Sequence, residues 1–217
     1  MDERHGLGVP RTLEEAVGDP RRVALLVYDM QVGILGQLAD GERVLGQVLK
    51  VLDAARGVQV RTIFAHHVTL PTDLMGISQL RMWRSWQRVQ SADVSSAFPP
   101  GAAQSQLVLE LAPTSREAVL DKITMSAFEG TWLDIALRDC GITTVVVVGV
   151  ALETGVEPTV RHAADLGYIP IVVTDACGAG DAQAGQRSVE SLRFTGDALL
   201  TDADQFCAVL AQSPRAT

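Results

Sequence analysis

The feature that most restricts the fold is a run of four valines, Val145 to Val148, which ends at Gly149. Consecutive β-branched residues suit a strand that is buried on both faces, as in the middle of a parallel sheet. From Thr159 the apolar residues follow helical spacing, so we expect a strand-to-helix turn over residues 150–158. Such turns bind ligands because they lie at the carboxyl ends of strands and carry unpaired N–H groups.

The same alternation of strand and helix recurs along the chain. Buried-type strands are predicted at 22–28, 58–65, 117–120 and 169–174, helices at 41–56, 131–139, 184–193 and 202–211, and a short edge strand at 198–200. Parallel strands joined by helical crossovers form a sheet covered by helices on both faces. The sequence therefore predicts an α/β fold with a parallel sheet.

We expect one domain over residues 21–217, preceded by an arm over residues 1–20 that holds one short helix near Thr12. Residues 68–117 interrupt the pattern with several prolines and many short polar residues. Such a long excursion is typical of a lid or an interface. Trp83 and Trp86 within it suit a lid, but they suit equally well a cover for the core or a subunit contact.

Charge and composition narrow the possible partners. A net charge of −8 argues against nucleic acid and anionic membrane surfaces, since both require basic patches, so we expect a small-molecule substrate. The three cysteines have neither disulfide-framework nor zinc-site spacing. We see no signal peptide and no apolar run long enough to span a membrane, and we therefore expect a cytoplasmic protein.

Chemistry-bearing residues follow several of the predicted strands. Asp29, His66 and Lys122 each come at the end of a different strand, and the turn from Gly149 to Gly155 follows another, so a parallel sheet should bring them to one edge. Of the 18 Lys and Arg residues, only Lys50 and Lys122 are lysines. Lys122 could tune a buried carboxylate as a proton carrier, or it could form a structural salt bridge at the sheet edge.

Four motifs, in order, resemble those of the isochorismatase-like superfamily, which includes nicotinamidases, N-carbamoylsarcosine amidases and related cysteine hydrolases. They are Val27-Tyr28-Asp29-Met30-Gln31, Lys122 with Ser126-Ala127-Phe128, Gly149-Val150-Ala151 with Val156 and Thr159, and Asp175-Ala176. The resemblance implies a three-layer α/β/α sandwich with about six mostly parallel strands. It also implies a pocket at their carboxyl ends, a cis peptide bond at Val150-Ala151 in many members, and homodimers or homotetramers.

The resemblance also assigns roles to individual residues. It implies that Asp29 and Lys122 are catalytic, with Gly155 at the position of the nucleophile. We expect substrate-binding residues to come from the same motifs and from the strand end at position 66; they are Gln31, His66, Phe128, Val150 and Ala151. His66 could equally be a structural histidine. No cofactor is expected, and no metal, because the adjacent His66 and His67 should point in opposite directions on a strand.

Position 155 departs from the amidase pattern. The amidase members carry a nucleophilic cysteine immediately before the valine that matches Val156, where this chain has Gly155. The isochorismatase-type members likewise have glycine there, and in them an aspartic acid protonates the vinyl carbon of a vinyl ether. We therefore predict cysteine-independent Asp/Lys acid-base hydrolysis of a vinyl ether or related small carboxylate. The alternative is a degenerate amidase homologue that binds a small molecule or partner without turnover.

Charged residues around the predicted site leave its electrostatic character open. Glu153 and Glu157 add negative charge to the turn where an anionic substrate would lie. Arg81, Arg84 and Arg88 share one helical face and could offset that charge, although a solvated helix face is the simpler interpretation. Cys177 follows another strand end but has no evident base beside it.

Overall fold

The valine run lies within a six-stranded parallel sheet in the computed structural model of the protein, which describes residues 2–213. A hairpin of β1 (Asp2–Arg4) and β2 (Leu7–Val9) precedes the strands of this sheet, which are β3 (Val23–Tyr28), β4 (Arg61–His67), β5 (Ala118–Lys122), β6 (Thr144–Val150), β7 (Ile169–Gly178) and β8 (Leu199–Thr201). Their order across the sheet is β5-β4-β3-β6-β7-β8, and each neighbouring pair is parallel.

Helices cover both faces of the sheet. They are α1 (Leu13–Val17), α2 (Val32–Leu35), α3 (Gly41–Gly57), α4 (Ile77–Gln87), α5 (Leu133–Asp139), α6 (Glu157–Asp165), α7 (Ala182–Thr195) and α8 (Ala203–Leu210). Alternate residues of β3 belong to two cores, one shared with α1, α3 and α8 and the other with α5, α6 and α7. The predicted three-layer α/β/α sandwich is therefore confirmed. Among residues 2–213, no helix combines the length and apolar character needed to cross a membrane.

Most predicted elements have the expected type, and the differences fall at their ends. The predicted turn over residues 150–158 is largely helical, because a single wide turn, Leu152–Val156, runs directly into α6. Pro158 lies in the first turn of α6, a position at which proline is common. Strands β4 and β5 extend two residues beyond their predicted ends, so His66 and Lys122 lie on strands.

The N-terminal arm is more integrated than the sequence indicates. Thr12 caps α1 through a bond from the Glu15 amide, as predicted, and the apolar face of this helix packs into one of the two cores. Since Val17 is fully buried, α1 packs into the same core as the residues that follow position 21. The exposed β1–β2 hairpin has no counterpart in the predicted elements.

The strand order places a switch point between β3 and β6. The chain progresses outwards from β3 to β4 and β5 on one side, and from β6 to β7 and β8 on the other. In such sheets a crevice opens where the two directions diverge, beyond the carboxyl ends of the two central strands. Asp29 directly follows β3, and Ala151 directly follows β6, so both lie at this crevice.

Gly149 allows the two central strands to lie close together at the crevice. Its φ is +117°, and a Cβ at this position would lie 2.8 Å from the backbone nitrogen of Tyr28. No L side chain fits there without moving the backbone of β3, because real Cβ contacts are never this short.

We expect Gly149→Ala to lower the free energy of unfolding by about 3 kcal/mol or more, through backbone strain and overpacking. The matched control is Gly46→Ala within α3, where a Cβ would meet open space. That control should stabilise the protein by about 0.5–1 kcal/mol, because alanine is the better helix former. Urea unfolding measures both changes, and equal effects of the two substitutions would contradict the prediction.

Candidate active site

A cavity of about 730 Å³ lies at the switch point. Its floor is formed by residues at the ends of β3 and β6, and one wall by the wide helical turn at Leu152–Val156. The opposite wall comes from the 68–117 excursion, mainly through the C-terminal half of α4 and the segment around Phe98. The volume is typical of a small-molecule site.

Asp29 and Lys122 form a buried ion pair at the floor of this cavity. Lys122 Nζ lies 2.7 Å from Asp29 Oδ2, and its side chain is completely buried. Strand β4 separates β3 from β5, so the two backbones are about 10 Å apart, which is two inter-strand spacings. Only a long cationic side chain can reach across that distance, which explains lysine at the end of β5.

Burial and the ion pair have opposite effects on the proton affinity of Asp29. Burial raises the pKa of the Asp29 carboxyl, and the Lys122 ammonium opposes that rise. Burial also lowers the pKa of Lys122, against the pull of Asp29. The second oxygen of Asp29, Oδ1, is buried and has no hydrogen-bond partner within residues 2–213. Asp29 lines the cavity.

Tyr28 occupies the space that a side chain at position 155 would need. A Cβ on Gly155 would lie 2.5 Å from Cζ of Tyr28, and closer still to Cε1 and the hydroxyl. The Tyr28 ring is 1% exposed, its hydroxyl donates to the carbonyl of Met125, and Lys122 Nζ lies 4.2 Å from its centroid. Burial keeps the pKa of Tyr28 well above 10, so the phenol is protonated at neutral pH. The ring is thus fixed on several sides.

The residues predicted to bind substrate fall into two groups. Val150 and Ala151 line the cavity, as does Gly155, and the Val150–Ala151 peptide bond is cis. Gln31 and Phe128 do not line it. Gln31 is fully buried and bonds the backbone of His67 and the carbonyl of Ser105, and Phe128 stacks on Tyr168. Their contacts are structural because they hold neighbouring segments together.

The structure places His67, rather than His66, at the cavity. Strand alternation directs His66 away, and its ring lies between the Ser105 carbonyl and the Asp121 carboxylate, 2.7 Å from Nδ1. The His67 ring lines the cavity with its centroid 6.1 Å from those of Trp83 and Phe98. Our sequence expectation for His66 is corrected because β4 continues through both histidines. Period-two alternation separates the two rings, but it does not show which of them faces the cavity.

The two glutamates of the turn have different surroundings. Glu153 lines the cavity, and its Oε1 accepts from the amides of Gly180 and Asp181, whereas Oε2 is buried without a partner in the described residues. Glu157 instead pairs with Arg161 on α6 and does not line the cavity. Of these two glutamates, only Glu153 therefore contributes negative charge to the cavity lining.

The protein has relatives of known family. The Isochorismatase domain matches residues 23–205. The chain belongs to the isochorismatase family. Ureidoacrylate amidohydrolase RutB from Acinetobacter baylyi is 35% identical over 81% of this chain and 79% of its own length. Nicotinamidase 3 from Arabidopsis thaliana is 28% identical over 90% of this chain and 93% of its own length. A cysteine hydrolase from Pseudomonas syringae has the same fold, with a TM-score of 0.76 and 23% identity over 89% of this chain and 94% of its own.

This isochorismatase-family protein does not gather ligands suited to a metal at the cavity. Among residues 2–213, no group of three or more His, Cys, Asp and Glu side chains could hold a metal ion. His66 is engaged by Asp121, and His67 is enclosed by aromatic rings.

The Cys177 thiol is also unsuited to nucleophilic attack. It is buried, its Sγ lies 3.8 Å from the carbonyl of Val147, and burial raises the thiol pKa to about 12. A thiol with that pKa is fully protonated at neutral pH, whereas the thiolate is the reactive form. Cys177 therefore behaves as a small apolar residue of the core.

His67 should make the protein sensitive to acid. Burial lowers the pKa of His67 from 6.5 to about 3, so the unfolded chain binds this proton well before the folded protein does. Stability should fall as pH falls from 6.5 towards 3, and about 3 kcal/mol should be lost between pH 7 and pH 4. His67→Phe retains the aromatic contacts and should remove this loss.

Urea unfolding at pH 7 and pH 4 measures the difference between wild type and His67→Phe. His5→Gln is the matched control, because His5 is exposed on the N-terminal hairpin and should leave the pH dependence unchanged. The same pH dependence in wild type and in His67→Phe would show that His67 is not the responsible group.

Proposed function

We propose that this protein is a hydrolase of a small organic acid, a vinyl ether or a related carboxylate, and that it uses proton transfer from Asp29 instead of thiol attack. Membership of the isochorismatase family supports hydrolysis. The observation that carries the mechanism is the Tyr28 ring, which fills the space beside Gly155 while the Asp29–Lys122 pair remains intact at the cavity floor. A nucleophilic side chain at position 155 and the present position of Tyr28 exclude each other.

The proposed reaction begins with the proton on Asp29. Asp29 donates it to the vinyl carbon, and the carbon that bears the ether oxygen becomes an oxocarbenium ion. Water adds to that carbon and returns a proton to the Asp29 carboxylate. The resulting hemiketal collapses to a carbonyl product and an alcohol, so that one water is consumed and the enzyme is regenerated. The unpartnered Oδ1 is the oxygen suited to both proton transfers.

Lys122 has two functions in this proposal. Its ammonium lies 2.7 Å from Oδ2 and stabilises the carboxylate that forms when the proton leaves. It also donates to the carbonyl of Thr124 at 3.3 Å and lies over the Tyr28 ring, so its position is fixed by three neighbours. A fixed cation beside a buried acid keeps the proton transferable in both directions.

The relatives favour a second candidate function. RutB and nicotinamidase 3 are named as enzymes that act on ureidoacrylate and nicotinamide, which contain amide-type C–N bonds. A protein derived from such amidases with glycine at position 155 would bind an amide without turning it over. We also propose, from the family resemblance, a homodimer or homotetramer in the cytoplasm.

Replacement of the acid tests the first candidate. Asp29→Asn should lower kcat on isochorismate or a simpler carboxylated enol ether by about 10²- to 10⁴-fold, the usual contribution of a positioned general acid. Circular dichroism checks that the variant is folded. Iodoacetamide should leave wild-type activity unchanged, because the mechanism uses no thiol. Full activity of Asp29→Asn, or loss of wild-type activity on alkylation, would contradict the proposal.

A double variant tests the second candidate. Gly155→Cys alone should destabilise the protein by about 1–3 kcal/mol, because the new side chain overlaps Tyr28. Tyr28→Val provides the missing space, so the cost of Gly155→Cys should be smaller in that background, with a coupling of about 0.5–3 kcal/mol.

The same double variant gives a catalytic readout. Alkylation-sensitive hydrolysis of nicotinamide or ureidoacrylate by Tyr28→Val/Gly155→Cys would favour the second candidate, because the remaining apparatus would then be that of a thiol hydrolase. The single variant Tyr28→Val is the matched control, since it opens the same space without adding a thiol. We expect no amide turnover by either protein.

A further inference from the structure

We propose that Arg88 forms an anion-binding subsite at the mouth of the cavity and that it binds the carboxylate of a small planar acid. The inference deepens the proposed function, on which it rests for the assumption that this cavity binds the substrate. It assigns the charge selectivity of the site to the 68–117 excursion, whereas the reacting groups come from the sheet.

Arg88 has a backbone position suited to this role. It ends α4 in the left-handed conformation, with φ +57°, and its amide donates to the carbonyl of Arg84. Arg88 lines both the main cavity and an adjoining cavity of about 370 Å³, in which the other two arginines also take part.

The three arginines near the cavity, Arg81, Arg84 and Arg88, form no ion pair with a carboxylate of residues 2–213, although the protein carries a net charge of −8. Six other arginines have such a partner, whereas five more described ones, away from the cavity lining, have none. The paired ones are Arg11, Arg21, Arg43, Arg56, Arg138 and Arg161, and the unpaired ones are Arg4, Arg22, Arg61, Arg187 and Arg193. The three arginines near the cavity thus remain available to an external anion.

The charges that line the main cavity are complementary to such a ligand. Asp29, Glu153 and Asp181 line it, and Arg88 is the cationic residue among its described lining residues. Asp29 is already compensated by Lys122 beneath it. Arg88 therefore attracts the negative end of a ligand to the mouth of the cavity, and Glu153 repels it. The uncharged end of the ligand enters the cavity first.

The wall between the two ends is aromatic. Trp83 and Phe98 have ring centroids 5.9 Å apart, and Trp86 stands edge-on to Trp83 at 5.3 Å. All three line the cavity, together with His67, which is neutral at pH 7 because burial lowers its pKa to about 3. Flat, apolar surfaces of this kind bind planar groups. The buried, unpartnered oxygens of Asp29 and Glu153 suit a proton-bearing group at the inner end.

Benzoate and benzamide test the subsite, since they have nearly the same shape and differ in charge. Isothermal titration calorimetry should detect benzoate binding to wild type, and Arg88→Gln should weaken it by about tenfold or more, the loss expected for a charge-assisted hydrogen bond. Benzamide binding should change by less than about twofold. Arg88→Lys, which keeps the charge, should retain part of the benzoate affinity.

Arg81→Gln is the matched control, because it removes the same charge from the adjoining cavity without altering the lining of the main one. It should weaken benzoate binding by less than about twofold. Equal losses in Arg81→Gln and Arg88→Gln, or no measurable benzoate binding at millimolar concentration, would overturn the proposal. Benzoate is not hydrolysed, so these results are independent of whether Asp29→Asn abolishes turnover.

Discussion

The ion pair between Asp29 and Lys122 is the interaction on which the site depends. Two charges buried under a sheet edge are costly unless they meet with good geometry, and here they meet at 2.7 Å across the end of an intervening strand. This arrangement requires the parallel order β5-β4-β3, which places both side chains at the same edge. The fold and the chemistry are therefore linked, because a change of strand order would leave a buried charge unpaired.

Tyr28 and Gly155 form a second, steric constraint at the same place. The tyrosine precedes Asp29 on β3, and its ring lies over the Lys122 ammonium while it fills the space next to Gly155. One side chain thus contacts the cation and removes the room for a nucleophile. The two positions are 127 residues apart in the sequence, so their relation is visible only when β3 and the turn after β6 are brought together.

The sequence predicts the layers of the fold well because burial on both faces gives long apolar strands. The four valines of β6 and the Val-Ala-Leu-Leu-Val run of β3 leave little alternative to a parallel sheet. Parallel topology then places Asp29 and Lys122 at one edge, and the structure brings them together. The sequence could not show which histidine faces the cavity, because that depends on where β4 ends, and strand ends are poorly marked in composition.

The positions of Tyr28, Glu153 and Arg88 at the cavity cannot be predicted from local sequence patterns. Tyr28 looks like the last apolar residue of a strand, and Arg88 looks like a solvated helical residue. Their positions are set by contacts between distant segments, namely β3 with the turn after β6 and α4 with the rim of the sheet. The position of α4 depends on the path of the 68–117 excursion, and hydrophobic periodicity does not predict that path.

Part of the excursion packs in its own small apolar cluster, formed by Met75, Trp83, Val94 and Phe98, whereas its later residues Val108 and Leu111 belong to one of the two cores of the sandwich. The part of the excursion that lines the cavity and the strands that carry Asp29 and Lys122 are therefore stabilised by largely different sets of apolar contacts. As a consequence, substitutions in this segment can alter the preferred compound over evolutionary time without eroding the scaffold. Proteins with this fold can therefore differ in substrate while they keep the same sheet and helices.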